Sequence, residues 1–212
     1  MRLARLALFL FFASLLHLPA SARPACAQGL LRINEIMAGP ARDWDGSGTY
    51  SSRDDEWVEL KNTGSSPLTL DGFFITDADS LPRYALSGVL APGAFKLVTG
   101  KMSFDWEKLV GKSAVGLSLS NSGDAVMLWQ VSGADTVLTD HYAFKSHEAA
   151  ADRSVGRDEV TGEWKLFDGL DPYTGTLTPS GTGCAPTPAA ANTCNTTPTI
   201  PTTWGRLKTL YR

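Results

Sequence analysis

From Leu30 onward the large apolar residues come in short runs, many of them alternating, broken by Gly, Asn, Asp, Ser or Pro about every ten residues. A side-chain period of two suits a strand with one buried face, and turn residues at that spacing leave no room for long helices. Leu31, Ile33 and Ile36 predict a first strand. In Glu56-Trp57-Val58-Glu59-Leu60-Lys61, Val58 and Leu60 are expected to face the core and Glu59 the solvent, with Trp57 breaking the alternation. Leu68 and Leu70, residues 73–75, Tyr84 and Leu86, and residues 95–98 continue the pattern. Residues 125–131 are nearly continuously apolar, which predicts a central strand covered on both sides. Ser132-Gly133-Ala134-Asp135 then reads as a hairpin loop into a strand over 136–144. A helical turn around 104–110 is too short to change the class. The expected architecture is all-β, a sandwich of two sheets.

The N-terminus carries a different signal. Arg2 and Arg5 precede an apolar run over 6–18 interrupted only by Ser14 and His17, and small residues follow up to Ala25-Cys26-Ala27. This is the pattern of a secretory signal peptide over residues 1–27, short of the roughly 20 residues a bilayer span needs. Ala20-Ser21-Ala22 is a second candidate cut, and a lipid-anchored Cys26 is disfavoured by Arg23 and Pro24 before it. The chain is therefore expected to be secreted, to the extracellular space, the periplasm or the cell surface. Processing at Ala27 removes three bases and no acid, taking the net charge from −3 to about −6. It also removes Cys26. Cys184 and Cys194 remain, and in an oxidising compartment they are expected to form a disulfide.

About 185 residues suit one domain, expected over 28–168, followed by a tail. Residues 169–203 are rich in Thr, Pro, Gly and Ala and poor in large apolar side chains, which predicts an extended or mobile, disordered linker. Residues 204–212 bring back Trp204, Arg206, Lys208, Tyr211 and Arg212. That peptide is either a docking or sorting element read by an export machine, or a frayed end.

Ile33-Asn34-Glu35-Ile36-Met37-Ala38 and Asp55-Glu56-Trp57-Val58-Glu59-Leu60-Lys61-Asn62-Thr63-Gly64 resemble the opening strands of the lamin tail domain family. Leu70-Asp71-Gly72-Phe73-Phe74-Ile75-Thr76-Asp77, Leu90-Ala91-Pro92-Gly93, Leu119-Ser120-Asn121-Ser122-Gly123-Asp124, and Ser154-Val155-Gly156-Arg157 with Trp164 resemble its later landmarks in order, over residues 30–167. Phe73 stands where the family often has Trp, and the first loop is long. The resemblance implies an immunoglobulin-like sandwich, in its bacterial secreted form an extracellular accessory module often found beside hydrolase domains. In nuclear lamins it implies a tail that contacts protein and nucleic acid.

The long loop, read as a twelve-residue metal loop, places Asp43, Asp45 and Ser47 at positions one, three and five and Gly48 at six. Thr49 falls at seven, Ser51 at nine and Asp54 at twelve. This is EF-hand-like spacing for Ca2+ without flanking helices, and the short Asp at twelve predicts weak binding or recruitment of Asp55 or Glu56. The alternative is a solvated Asp/Gly/Ser loop.

Catalytic residues are not expected. His141 and His147 are the imidazoles left after processing, no G-x-S-x-G elbow surrounds a Ser, and no zinc signature exists. Glu35, Asp55, Glu56 and Glu59 could supply paired carboxylates, but Glu35 and Glu59 have an ordinary explanation on edge strands. The expected function is binding or structural, with a protein or surface polymer as partner. Net negative charge opposes nucleic-acid binding, for which Arg206, Lys208 and Arg212 form the visible basic cluster.

Overall fold

The computed structural model describes residues 29–194. The signal segment, Cys26 and the terminal peptide around Trp204 lie outside the described residues. Eleven strands and one helix are present among them. A five-stranded antiparallel sheet has the order β11 (Trp164–Phe167), β10 (Ser154–Arg157), β1 (Leu31–Met37), β2 (Trp57–Asn62), β7 (Phe95–Thr99). A four-stranded sheet has the order β5 (Pro82–Ala85), β4 (Phe73–Thr76), β8 (Gly123–Ser132), β9 (Asp135–Lys145), and β3 (Leu68–Thr69) pairs with β6 (Val89–Leu90). The fold is an immunoglobulin-like β-sandwich. Its core joins Ile33, Ile36, Val58, Leu60, Val98, Val155 and Leu166 from the first sheet to Phe73, Ile75, Val126, Leu128 and Phe144 from the second.

Three elements depart from the sequence expectation. Residues 100–109 form a ten-residue helix, α1 (Gly100–Leu109), longer than the expected turn at 104–110. Thr99 caps it by accepting from the Met102 amide at 3.2 Å, and packing replaces the missing apolar period: Ser103 donates to the Arg83 carbonyl at 2.7 Å. Next, β8 is not covered on both sides. Val126 and Leu128 are fully buried, whereas Ala125, Met127 and Trp129 are only half-buried, so the strand alternates.

The sheet buried on both faces is the first one. Glu35 and Glu59, expected at edge strands with Glu59 in solvent, are both 0 % exposed. The reason is topological: β1 lies between β10 and β2, and β2 between β1 and β7. The face opposite the core carries Met37, Trp57 and Phe167, each at most 1 % exposed. Trp44 of the long loop meets Trp57 edge-on at 6.2 Å between ring centroids. Residues 184–194 lie over the rest. They form no helix or strand and are docked, with Pro186 and Asn192 buried. Docking comes from polar anchors that composition does not reveal.

A bulge in β1 between Ile33 and Glu35 explains one of those anchors and two further bonds from β9 and β10. A bulge leaves backbone groups without ladder partners. Asp140 of β9 accepts from the Ile33 amide at 2.9 Å, Arg157 donates to the Ile33 carbonyl at 2.9 Å, and Asn192 donates to the Asn34 carbonyl at 3.0 Å.

Candidate functional site

The loop over 38–56 is held at both ends. Asp152 takes the Ala41 amide at 2.9 Å, Arg42 Nε at 2.9 Å and Trp44 Nε1 at 2.7 Å. Burial opposes ionisation there, but these donors outweigh it and hold the Asp152 carboxyl below its ordinary range. At the far end, Gly100 and Lys101 at the start of α1 donate to the Glu56 and Asp54 carbonyls at 2.7 and 3.1 Å. Only glycine fits at 100, because a Cβ would lie 1.8 Å from the Arg53 carbonyl oxygen.

Between these anchors the carboxylates of Asp43, Asp45 and Asp55 each place an oxygen within 4.8 Å of the others. Asp55, 0 % exposed, accepts from the amides of Trp44 at 2.6 Å, Asp45 at 2.9 Å and Ser51 at 2.7 Å. Asp43 accepts from Ser47 and Gly48 at 3.1 and 2.7 Å, and Asp45 from Ser47 at 2.8 Å. Among the described residues no ion pair neutralises any of the three. Asp54 stands apart. Arg53 grips it at 2.7 and 3.0 Å and lowers its pKa. Ser47 Oγ donates to the Thr49 carbonyl at 3.0 Å, and Ser51 Oγ accepts from the Asp54 amide at 3.2 Å. Of the six residues singled out by spacing, Asp43 and Asp45 therefore converge; Ser47, Thr49 and Ser51 are engaged in the loop's own turns. Asp55, the alternative to Asp54, lies with Asp43 and Asp45. Three oxygen-bearing carboxylates without a counter-ion are a donor set that suits a hard cation.

Beside this cluster runs a groove of 640 Å³ between the 38–56 loop and residues 114–121. Tyr50, Arg53, Glu56, Val115 and Ser118 are among its lining residues. Glu107, 1 % exposed, shapes the far wall by accepting from the amides of Val115 and Gly116 at 2.6 and 2.8 Å. Ser118 is held at φ 60°, a left-handed conformation uncommon outside glycine. Glu56 is 6 % exposed and accepts from the Leu119 amide at 3.2 Å; burial raises its pKa to about 8. Of the candidate site residues named from sequence, Glu56 alone lines this groove. The 114–121 wall had no signal beyond turn residues.

A second polar cluster lies on the outer face of the first sheet. Glu35 and Glu59 are directly opposite in the β1–β2 register. Glu35 accepts from Ser154 Oγ and, at 2.7 Å, from Thr187 Oγ1, while Glu59 accepts from Asn34 Nδ2 at 2.7 Å and from the Ala189 amide. Burial raises both pKa values, that of Glu59 to about 7. Cys184 and Cys194 are disulfide-bonded, with Cα atoms 5.6 Å apart, closing the segment that covers these carboxylates. The imidazoles are elsewhere: His141 is exposed, and the His147 ring lies 5.1 Å from that of Tyr173.

The model of the lamin tail domain matches residues 24–145, more than half of the chain. The chain belongs to the lamin tail domain family. This is a family of non-catalytic immunoglobulin-like modules with binding or structural roles. The match stops at the end of β9, so in this lamin tail domain β10 and β11 complete the first sheet, and the docked segment covers it, from beyond the matched residues. Comparison with curated proteins and with solved structures gives no match.

Proposed function

We propose that this lamin tail domain is an exported, non-catalytic binding module of the bacterial secreted type, acting at the cell surface or in the extracellular space. Its contact surface is the loop end of the sandwich, where Ca2+ bound by Asp43, Asp45 and Asp55 fixes the 38–56 loop against the adjoining groove. The partner is a protein or a surface polymer. The observation that carries this reading is the convergence of three carboxylates, one of them fully buried, in the same loop that forms one wall of the 640 Å³ groove. Neutralising like charges held that close lowers the cost of keeping the loop in one shape. Loops displayed at one end of a rigid sandwich are where such folds place recognition.

Calorimetry on chelator-treated protein tests the proposal. It predicts one bound Ca2+ per chain, a melting temperature several degrees higher with Ca2+, and at least tenfold weaker binding in Asp43→Asn. Identical melting curves with and without Ca2+, together with no heat of binding, would overturn it.

A further inference from the structure

Residues 184–194 cross the outer face of the first sheet. Their anchors are polar. Thr187 donates its amide to Glu35 at 3.1 Å and its hydroxyl at 2.7 Å, Ala189 donates its amide to Glu59, and Asn192 donates to the Asn34 and Arg157 carbonyls at 3.0 and 2.9 Å. Asn192 is 1 % exposed, and a Cβ on Gly156 would come 2.5 Å from its Nδ2, so the sheet is shaped to receive it. Beneath the segment, two carboxylates face each other across adjacent strands, an arrangement that destabilises when both are charged.

Other charges do not relieve this. Lys61, on the same face, pairs with Glu159, whose second oxygen meets the Asn192 amide at 3.3 Å. Lys165, also on that face, pairs with Glu163 at 3.0 Å. The Arg157 guanidinium turns to Asp140 at 3.1 Å and over the Trp164 ring. Asp168, at the base of the segment, accepts from the Gly183 and Tyr173 amides at 2.7 and 2.8 Å. The segment itself has no ionisable side chain other than its cysteines.

We propose that residues 184–194 are a releasable strap with two locks, the Cys184–Cys194 disulfide and the neutral state of the Glu35–Glu59 pair, which lifts off the sheet only when both are undone. Cys194 is exposed, so a dithiol reductant can reach it. Its thiolate attacks the Cys194 sulfur and displaces the Cys184 thiolate. Its second thiol then closes on the mixed disulfide and releases Cys194. Two electrons pass to the cysteines, which take up two protons, and the reductant leaves as a cyclic disulfide. Burial opposes ionisation of both carboxyl groups more strongly than the Thr187 and Ala189 donors favour it, which raises both and brings Glu59 to about 7. Release uncovers Asn34, Glu35 and Glu59 as an acidic patch.

Rapid-mixing hydrogen exchange read by mass spectrometry tests this on the full chain. The strap's rate is divided by that of a free peptide of the same sequence at the same pH. Oxidised protein keeps the strap slowed at pH 6 and pH 8.5. Reduced protein keeps it slowed at pH 6 and loses at least tenfold of the protection at pH 8.5, while β2 amides stay protected. Glu59→Gln, or Glu35→Gln if the first fails to fold, retains protection at pH 8.5 after reduction. The proposal is overturned if the reduced strap stays slowed at pH 8.5, or is already free at pH 6. It is equally overturned if β2 exchanges with it, or if the neutral variants release it as the parent does.

Discussion

Replacing Glu59 by Gln in the oxidised protein should change how stability depends on pH. The native carboxyl titrates at about 7 against 4.5 for the free side chain, so between those values the folded chain holds a proton that the unfolded chain has lost. Stability therefore falls as pH rises from 4.5 to 7 and levels off above. At about 1.4 kcal/mol per pH unit, the full difference is about 3 kcal/mol. Glu35 and Glu56 are raised too and add slope of the same sign, so the parent curve alone does not isolate Glu59. Subtraction does. Urea unfolding at half-unit steps from pH 4.5 to 8.5, with a constant m-value as the check on two-state behaviour, gives both curves. The variant should gain about 2–3 kcal/mol on the parent between the two ends of the range. Curves that run parallel would mean that Glu59 titrates normally, and the argument from its burial would be wrong.

Gly156→Ala places a methyl 2.5 Å from Asn192 Nδ2 and 3.0 Å from Glu35 Cγ and a Phe167 ring carbon, and should cost about 2 kcal/mol by urea unfolding. Asp152→Ala strands three donors at one end of the 38–56 loop and should cost about 2 kcal/mol, with a red shift in the emission of Trp44 as its ring loosens. A chain ended after Lys145, where the family match ends, leaves β1 without its β10 partner; it should lose cooperative thermal unfolding by circular dichroism.

The sandwich was legible because alternation and turn spacing reflect burial of one strand face, and Val58, Leu60, Phe73 and Ile75 follow that rule without interference. Glu59 broke it. Its expected exposure followed from opposition to Val58 and Leu60, a local argument that holds only if nothing covers the other face, and the cover comes from residues more than a hundred positions away. The cysteine pair was readable by elimination, whereas the docking of the strap was not, because Thr187 and Asn192 look like any polar residues of a Thr- and Ala-rich tail. On the long loop, spacing put Asp54 at position twelve with Asp55 or Glu56 as alternatives, and it is Asp55 whose carboxylate lies beside those of Asp43 and Asp45. The difference is one of direction: Arg53 draws Asp54 outward, and the amides of Trp44, Asp45 and Ser51 draw Asp55 inward.

The same cover decides what the family match alone would miss. Met37, Trp57 and Phe167 together put three large side chains on the face of the first sheet away from the core, each gaining about 1.5–3 kcal/mol when removed from water. A sheet carrying them bare would present an apolar face, and an apolar face of that kind invites association. The chain meets this with Trp44 at one end and with polar bonds along the rest, where Asn192 fills the open carbonyls of Asn34, at the bulge, and of Arg157. An apolar cover would have left those carbonyls and one oxygen of each glutamate without a donor in the interior, at about 1–3 kcal/mol each. A Thr- and Asn-bearing segment with little bulk is thus what this face requires, and low hydrophobicity there follows from docking onto a polar seam.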